Sequence, residues 1–238
     1  MKKNSFIACI LAISLQACIK KKIPESKLNL GLDYYPTTKG KFVVYDIDST
    51  VYTEIPKDTL QFKYRIKEKL SDSFTDNLGQ PAIRLERYIK RYDPKMAYDS
   101  IPWTIKQVWL VNANQTNVQV VEDNIRYTKL VFPLSTKKTW NGNAYNNLGE
   151  RLYSYIYLDN PEVVNQIHLE QVLQVEQKEF RTLISYQHYQ EKYARGIGLV
   201  HREIVDLLSN AIAPGKPVEN RIESGIIYKQ TLVTYGYE

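Results

Sequence analysis

Cysteine is almost absent. Cys9 and Cys18 are the only two in 238 residues, so residues 19–238 can form no disulfide and offer no thiolate to a metal or a substrate. That stretch must be stabilised by a packed core. Histidine is scarce too: His168, His188 and His201 are the only three, and no two lie three or four residues apart. The ligand spacing of a zinc site is therefore missing. The ten glycines make no phosphate cradle, and no Gly-x-Ser-x-Gly elbow occurs. Gly196-Ile197-Gly198 has no third glycine and no predicted helix after it, and reads as a bulge or tight bend entering a strand. The apolar run Phe6–Leu15 has about half of the roughly twenty residues that a membrane-spanning helix needs. From these absences no cofactor, metal ligand or catalytic residue is assigned.

The N-terminus carries a recognisable pattern. Lys2 and Lys3 precede the apolar run, and small Ala17 stands before Cys18, which are the parts of a secretory signal. Leu15-Gln16-Ala17-Cys18 resembles the lipobox of bacterial lipoproteins. That resemblance implies cleavage after residue 17, acylation of the Cys18 thiol and a membrane anchor, since two or more acyl chains hold stably where one does not. Lys20-Lys21-Lys22 follows directly. It either spaces lipid from domain or adds about 1 kcal/mol per lysine of adhesion to an anionic surface. Some Bacteroidota lipoproteins destined for the cell exterior carry acidic residues at this place. By that resemblance the basic tether implies an outer-membrane protein facing the periplasm.

Removal of residues 1–17 would leave 221 residues and lower the net charge from +6 to +4. The expected organisation is a signal over 1–17, a lipidated Cys and tether over 18–39, and one β domain over 40–238. A chain of this length buries about 70% of its unfolded surface and needs no staple. From residue 40 onward apolar residues alternate with period two, the mark of strands with one buried face. In Leu60–Lys67, Leu60, Phe62, Tyr64 and Ile66 share one face, and Gln61, Lys63, Arg65 and Lys67 share a wet one. Similar runs recur between turn-forming groups such as Asp76–Gly79, Asn141–Asn143, Asp159–Pro161 and Ala213–Gly215. The expected fold is all-β: a single antiparallel domain of about ten strands, as a half-barrel or a sandwich. Short helical pieces are expected at Lys95–Tyr98, Ala144–Gly149 or Val205–Ile212.

The candidates for chemistry are few. His168, His188 and His201 read as hydrogen-bonded surface or half-buried residues. Asp46 and Asp48 share a strand face but lack the loop and closing Glu of a calcium site. The nineteen tyrosines and three tryptophans exceed simple core needs. Trp103, Trp109, Tyr88, Tyr153, Tyr155 and Tyr157 could line an apolar cleft, or could merely suit half-buried strands. No basic stripe with stacking aromatics points to nucleic acid.

Tyr193–Val200 with Arg202-Glu203, and Pro36 with Gly40–Tyr45, resemble late and first strands of exported β-rich Bacteroidota lipoproteins, some akin to lipoprotein-carrier half-barrels. No catalytic residue carries over from that resemblance; three classes stay open, and a non-enzymatic binding or interaction role is the expectation. A carrier holding an apolar ligand requires a continuous apolar cavity. A lipoprotein that contacts envelope proteins requires a filled core and an exposed apolar patch. An envelope hydrolase requires titratable groups clustered in a cleft.

Overall fold

A computed structural model describes residues 29–238. Its twelve strands are β1 (Lys41–Thr53), β2 (Asp58–Thr75), β3 (Pro81–Arg91), β4 (Thr104–Ala113), β5 (Asn117–Glu122), β6 (Ile125–Val131), β7 (Thr139–Asn141), β8 (Leu152–Val164), β9 (Ile167–Arg181), β10 (Ser185–Ala194), β11 (Gly198–Leu208) and β12 (Ser224–Tyr237). They form one antiparallel sheet in the order β6-β5-β4-β3-β2-β1-β12-β11-β10-β9-β8-β7. The chain thus runs up and down, and its first and last strands pair from Lys41↔Tyr237 to Tyr52↔Gly225. Connections at one end (the near end, where β1 begins and β12 finishes) alternate with connections at the other (the far end).

The sheet curls into a nearly closed barrel, which corrects both the half-barrel and the sandwich. Its open seam lies between β6 and β7, and side chains and loop backbone bridge it. Thr128 N donates to Gly142 O at 2.9 Å, and Trp140 Nε1 to Thr128 O at 2.9 Å. Tyr155 Oη donates to Val131 O at 2.8 Å and accepts from Val131 N at 2.9 Å. Gly142 is required here by space. A Cβ on it would lie 2.2 Å from the Tyr153 ring, whose edge packs against Trp140 at 5.9 Å between centroids.

Alternation located most strands, and the departures have local causes. β7 has only three residues, too few for a period to show. The apolar run from Phe180 to Tyr189 is broken by the turn at 182–184 that joins β9 to β10. Asp159-Asn160-Pro161 does not end a strand: it is an irregularity inside β8, where Asp159 has φ 56° and the register to β9 shifts. Val205–Leu208 belongs to β11 and residues 144–149 form turns, so neither is helical. The helical piece near Lys95–Tyr98 is a single 3-10 turn at Tyr98–Ser100. On β2, Ile66 is buried, but Leu60 and Phe62 are exposed on the part of the strand nearest the far end. The opposite face is not uniformly wet either, because Arg65 lies over the Tyr98 ring, 4.4 Å from its centroid.

Residues 29–39, read as the end of the tether, pack on the near end of the barrel. Tyr34 is fully buried and donates to Asp159 Oδ1 at 2.9 Å. Arg195 clamps this segment through Asp33 at 2.6 Å and Asp159 at 2.7 Å. Cys18 and the rest of the proposed signal and tether lie outside the described residues.

Barrel diameter grows with strand number, and a lumen of twelve strands is wider than aliphatic side chains alone fill readily. Long side chains fill this one: Tyr34, Tyr45, Tyr153 and Tyr193 are wholly buried, with Trp109 and Trp140 beside them.

Candidate functional site

Among the described residues, chemically active side chains come together in several places. The first is the interior. Facing strands β5, β6, β10 and β11 present Glu122, Lys129, Glu191 and Arg202 to one another. Lys129 Nζ reaches Glu122 at 2.9 Å and Glu191 at 3.0 Å. Arg202 Nη2 reaches the same two carboxylates at 2.9 and 2.7 Å. Tyr193 Oη donates to Glu191 at 2.5 Å. The four charges cancel. A second buried pair, Arg87 with Glu68 at 2.9 Å, stands beside them, its guanidinium stacked 3.7 Å from the Trp109 ring centroid.

Burial alone would raise the Glu122 carboxyl, but Arg202 and Lys129 outweigh it and hold the group down at about 2. Glu191 follows the same logic: burial pushes it up, Lys129 and Arg202 pull it further down. The cluster is therefore fully ionised at neutral pH. It is also shielded, with Glu191 and Lys129 almost without exposure. A space of about 20 Å³ adjoins it, between Trp109 and Arg202, and another of about 40 Å³ lies between Tyr35 and Leu70. Each holds one or a few waters at most, far below the several hundred Å³ of a ligand pocket. Neither of these two spaces among the described residues amounts to a continuous apolar cavity.

The second place is the far end. The β1–β2, β9–β10 and β11–β12 connections are tied into one platform by polar contacts. Asn210 Nδ2 donates to Glu54 at 2.8 Å, Lys57 pairs with Glu223 at 3.2 Å, and Arg181 pairs with Glu219 at 2.7 Å. Arg221 donates to Ser209 Oγ at 2.8 Å and to the carbonyls of Ala211 and Leu183. Ser209 N donates to Ile184 O at 2.9 Å. A small core of Val205, Leu207 and Val218 supports them. Beside these contacts, apolar side chains are left outward. Ile55 is 90% exposed, Ile212 64% and Leu183 63%, with Ile184 and Leu208 beside them.

The third is a pocket of about 310 Å³ on the outer face of β4–β6, between the turn after β2 and the loop after β7. Its floor is a hydrogen-bonded network centred on Asp76, Asn112 and Arg126.

The residues singled out from the sequence do not converge. His188 Nδ1 lies 2.6 Å from Glu179, and His201 Nδ1 lies 3.4 Å from Thr231 Oγ1. His168 is exposed on β9. No two of them share a hydrogen-bond partner among the described residues. Asp46 and Asp48 meet cross-strand cations, Arg65 at 2.7 Å and Lys63 at 3.6 Å. The six aromatics do not line one cleft. Trp109, Tyr153 and Tyr155 fill the lumen, whereas Tyr88 donates to Glu86, Trp103 lies under Lys90, and Tyr157 contacts Glu162 and Lys192. The interior charges were missed because each has a polar or charged neighbour in sequence (Glu122 beside Asp123, Lys129 beside Thr128, Glu191 beside Lys192, Arg202 beside Glu203) and so looks like an ordinary polar strand position; only pairing the strands shows that they meet. The rim platform had a sequence signal, the apolar residues Ile55, Leu183 and Ile212 inside turns.

No family profile and no curated protein matches this chain. A solved structure from Bacteroides fragilis, titled as an exported protein with a YMCC-like fold, is similar at a TM-score of 0.41 and 8% sequence identity. The match covers 85% of this chain and 98% of that one.

Proposed function

We propose that this chain is a lipid-anchored protein of the bacterial cell envelope, facing the periplasm, that acts without catalysis by docking a protein partner on the apolar far end of its barrel. The observation that carries the reading is the platform of Ile55, Leu183, Ile184, Leu208 and Ile212. Rigid apolar surface left in water is characteristic of an interface. The filled lumen supports the interaction role over the carrier role. The ionic cluster lies too deep to meet a substrate.

The place of the anchor argues for a protein rather than a bilayer as the occupant. The chain enters the barrel at the near end, so lipid on Cys18 would hold that end toward the membrane. The platform then points away from it. Lys57 with Glu223 and Arg181 with Glu219 are paired within the platform, so recognition rests chiefly on apolar contact and shape.

The test is site-specific photo-crosslinking in the native host. A benzoylphenylalanine at position 183 is expected to trap one discrete envelope protein, and one at Phe74, on the near-end part of β2, is expected not to. Loss of that adduct in Ile55→Asp/Ile212→Asp, at unchanged thermal stability, supports the reading. Crosslinking to lipid, to a second copy or to nothing overturns it.

A further inference from the structure

We propose that the pocket on the outer face of β4–β6 binds a neutral saccharide. The argument is independent of the platform and starts from what the pocket offers. Asp76 is buried and accepts from the backbone N–H groups of Leu78 and Gln80, both at 2.9 Å, and from Asn112 Nδ2 at 3.1 Å. Arg126 reaches across from β6 to the same carboxylate at 3.3 Å. Its other nitrogen donates to Asn112 Oδ1 and to Gln119 Oε1. Gln119 Nε2 in turn donates to Asn117 Oδ1 at 3.1 Å. The chain of contacts fixes each side chain before any ligand arrives, so little ordering cost remains for binding.

The chemistry of that floor selects the ligand. Arg126 is the charged residue of the lining, and Asp76 neutralises it, so an ionic ligand finds no unmatched partner. What remains is carboxamide. An amide carries donor and acceptor side by side, as a sugar hydroxyl does, so rows of amides match rows of hydroxyls. The walls add the second requirement. Tyr145, 59% exposed, and Leu78, 69% exposed, flank the opening. An aromatic ring so placed can stack on the C–H face of a pyranose while its hydroxyl stays wet. A volume of about 310 Å³ falls at the lower end of small-molecule sites, which suits a short oligosaccharide.

The experiment is an NMR titration of the full chain, extracted in a detergent without a sugar headgroup. The probes are maltotriose, cellotriose and triacetylchitotriose at millimolar concentration, with trigalacturonate as the acidic comparison. At least one neutral probe is expected to bind, with shifts confined to the pocket. Tyr145→Ala should weaken it roughly five- to tenfold, the loss of one aromatic contact of about 1 kcal/mol. Asn117→Ala, another partly exposed side chain, should weaken it as well. Leu183→Asp should leave it unchanged, which separates this site from the docking platform. Failure of all three neutral probes, preference for the acidic one, or binding indifferent to both pocket variants overturns the proposal.

Discussion

Replacement of Glu191 by Gln tests whether the barrel interior is held by a neutral ionic unit. Glu191 is 1% exposed and accepts from Lys129, Arg202 and Tyr193. The variant keeps the shape of the side chain but leaves two cations facing Glu122 alone, with one positive charge uncompensated in the core. Removing one member of a buried pair costs about 3–5 kcal/mol, mostly the burial of the orphaned charge. In a barrel of this size each 1 kcal/mol lowers Tm by about 2–4 °C, so Tm should fall by roughly 6–20 °C. Urea unfolding followed by the fluorescence of buried Trp109 and Trp140 gives the free energy directly, with an unchanged slope expected. The decisive variant is Glu191→Gln/Lys129→Met. It restores neutrality, and it should be more stable than Glu191→Gln alone by about 1–3 kcal/mol. A single variant within about 1 kcal/mol of the parent, or a double variant less stable than the single, refutes the neutral-unit argument.

Acid should act through the same groups. Glu122 titrates at about 2 in the folded protein and Glu191 is also depressed, whereas both ionise near 4.3 when unfolded. In this window the unfolded chain binds more protons, so the contribution is complete above the unfolded value and is lost as pH falls toward about 2. Glu122 alone is worth on the order of 3 kcal/mol, and Glu122→Gln should flatten the slope of stability between those limits. His201 is pushed down by burial, ahead of the opposing Glu203. Its contribution is therefore present above the unfolded value near 6.5 and declines as pH falls below it, and His201→Gln should remove that component from a urea titration. Gly142→Ala drives a methyl into the Tyr153 ring at the seam; a loss of about 1–3 kcal/mol is expected by thermal denaturation. Intact mass of protein from its host membrane should show a chain beginning at Cys18 with acyl groups, and Cys18→Ser should abolish the modification.

Strand positions were legible because one face of each strand meets the core and the other does not, which is what period two records. Barrel closure was not. It depends on how far the sheet coils before Trp140 and Tyr155 meet β6, and alternation is the same whether a sheet curls or stacks. The half-exposed Leu60 and Phe62 show a related limit, since periodicity assigns a face but not how far along a strand the core extends. The ionic interior was hidden for another reason. Glu122 and Lys129 come from one pair of strands, Glu191 and Arg202 from another at least 62 residues further on, and nothing local marks them as partners. The pocket was missed because Asn112, Gln119 and Arg126 are ordinary outward residues, given meaning only by the turn at Asp76. The exposed turn residues Ile55, Leu183 and Ile212 were visible but had no reading until the loops came together.

The pairing of β1 with β12 has a consequence for the order of events in the cell. The strand that pairs with the first one is made after the other eleven, and Glu238 N still donates to Gly40 O at 2.9 Å beyond its end. Contacts so remote in sequence form slowly, so the nascent chain has no complete barrel to fold into until β12 has been made. Under the export proposed above, a chain that threads a translocon unfolded gains from that delay: its late strand postpones the native state until β12 has followed the rest.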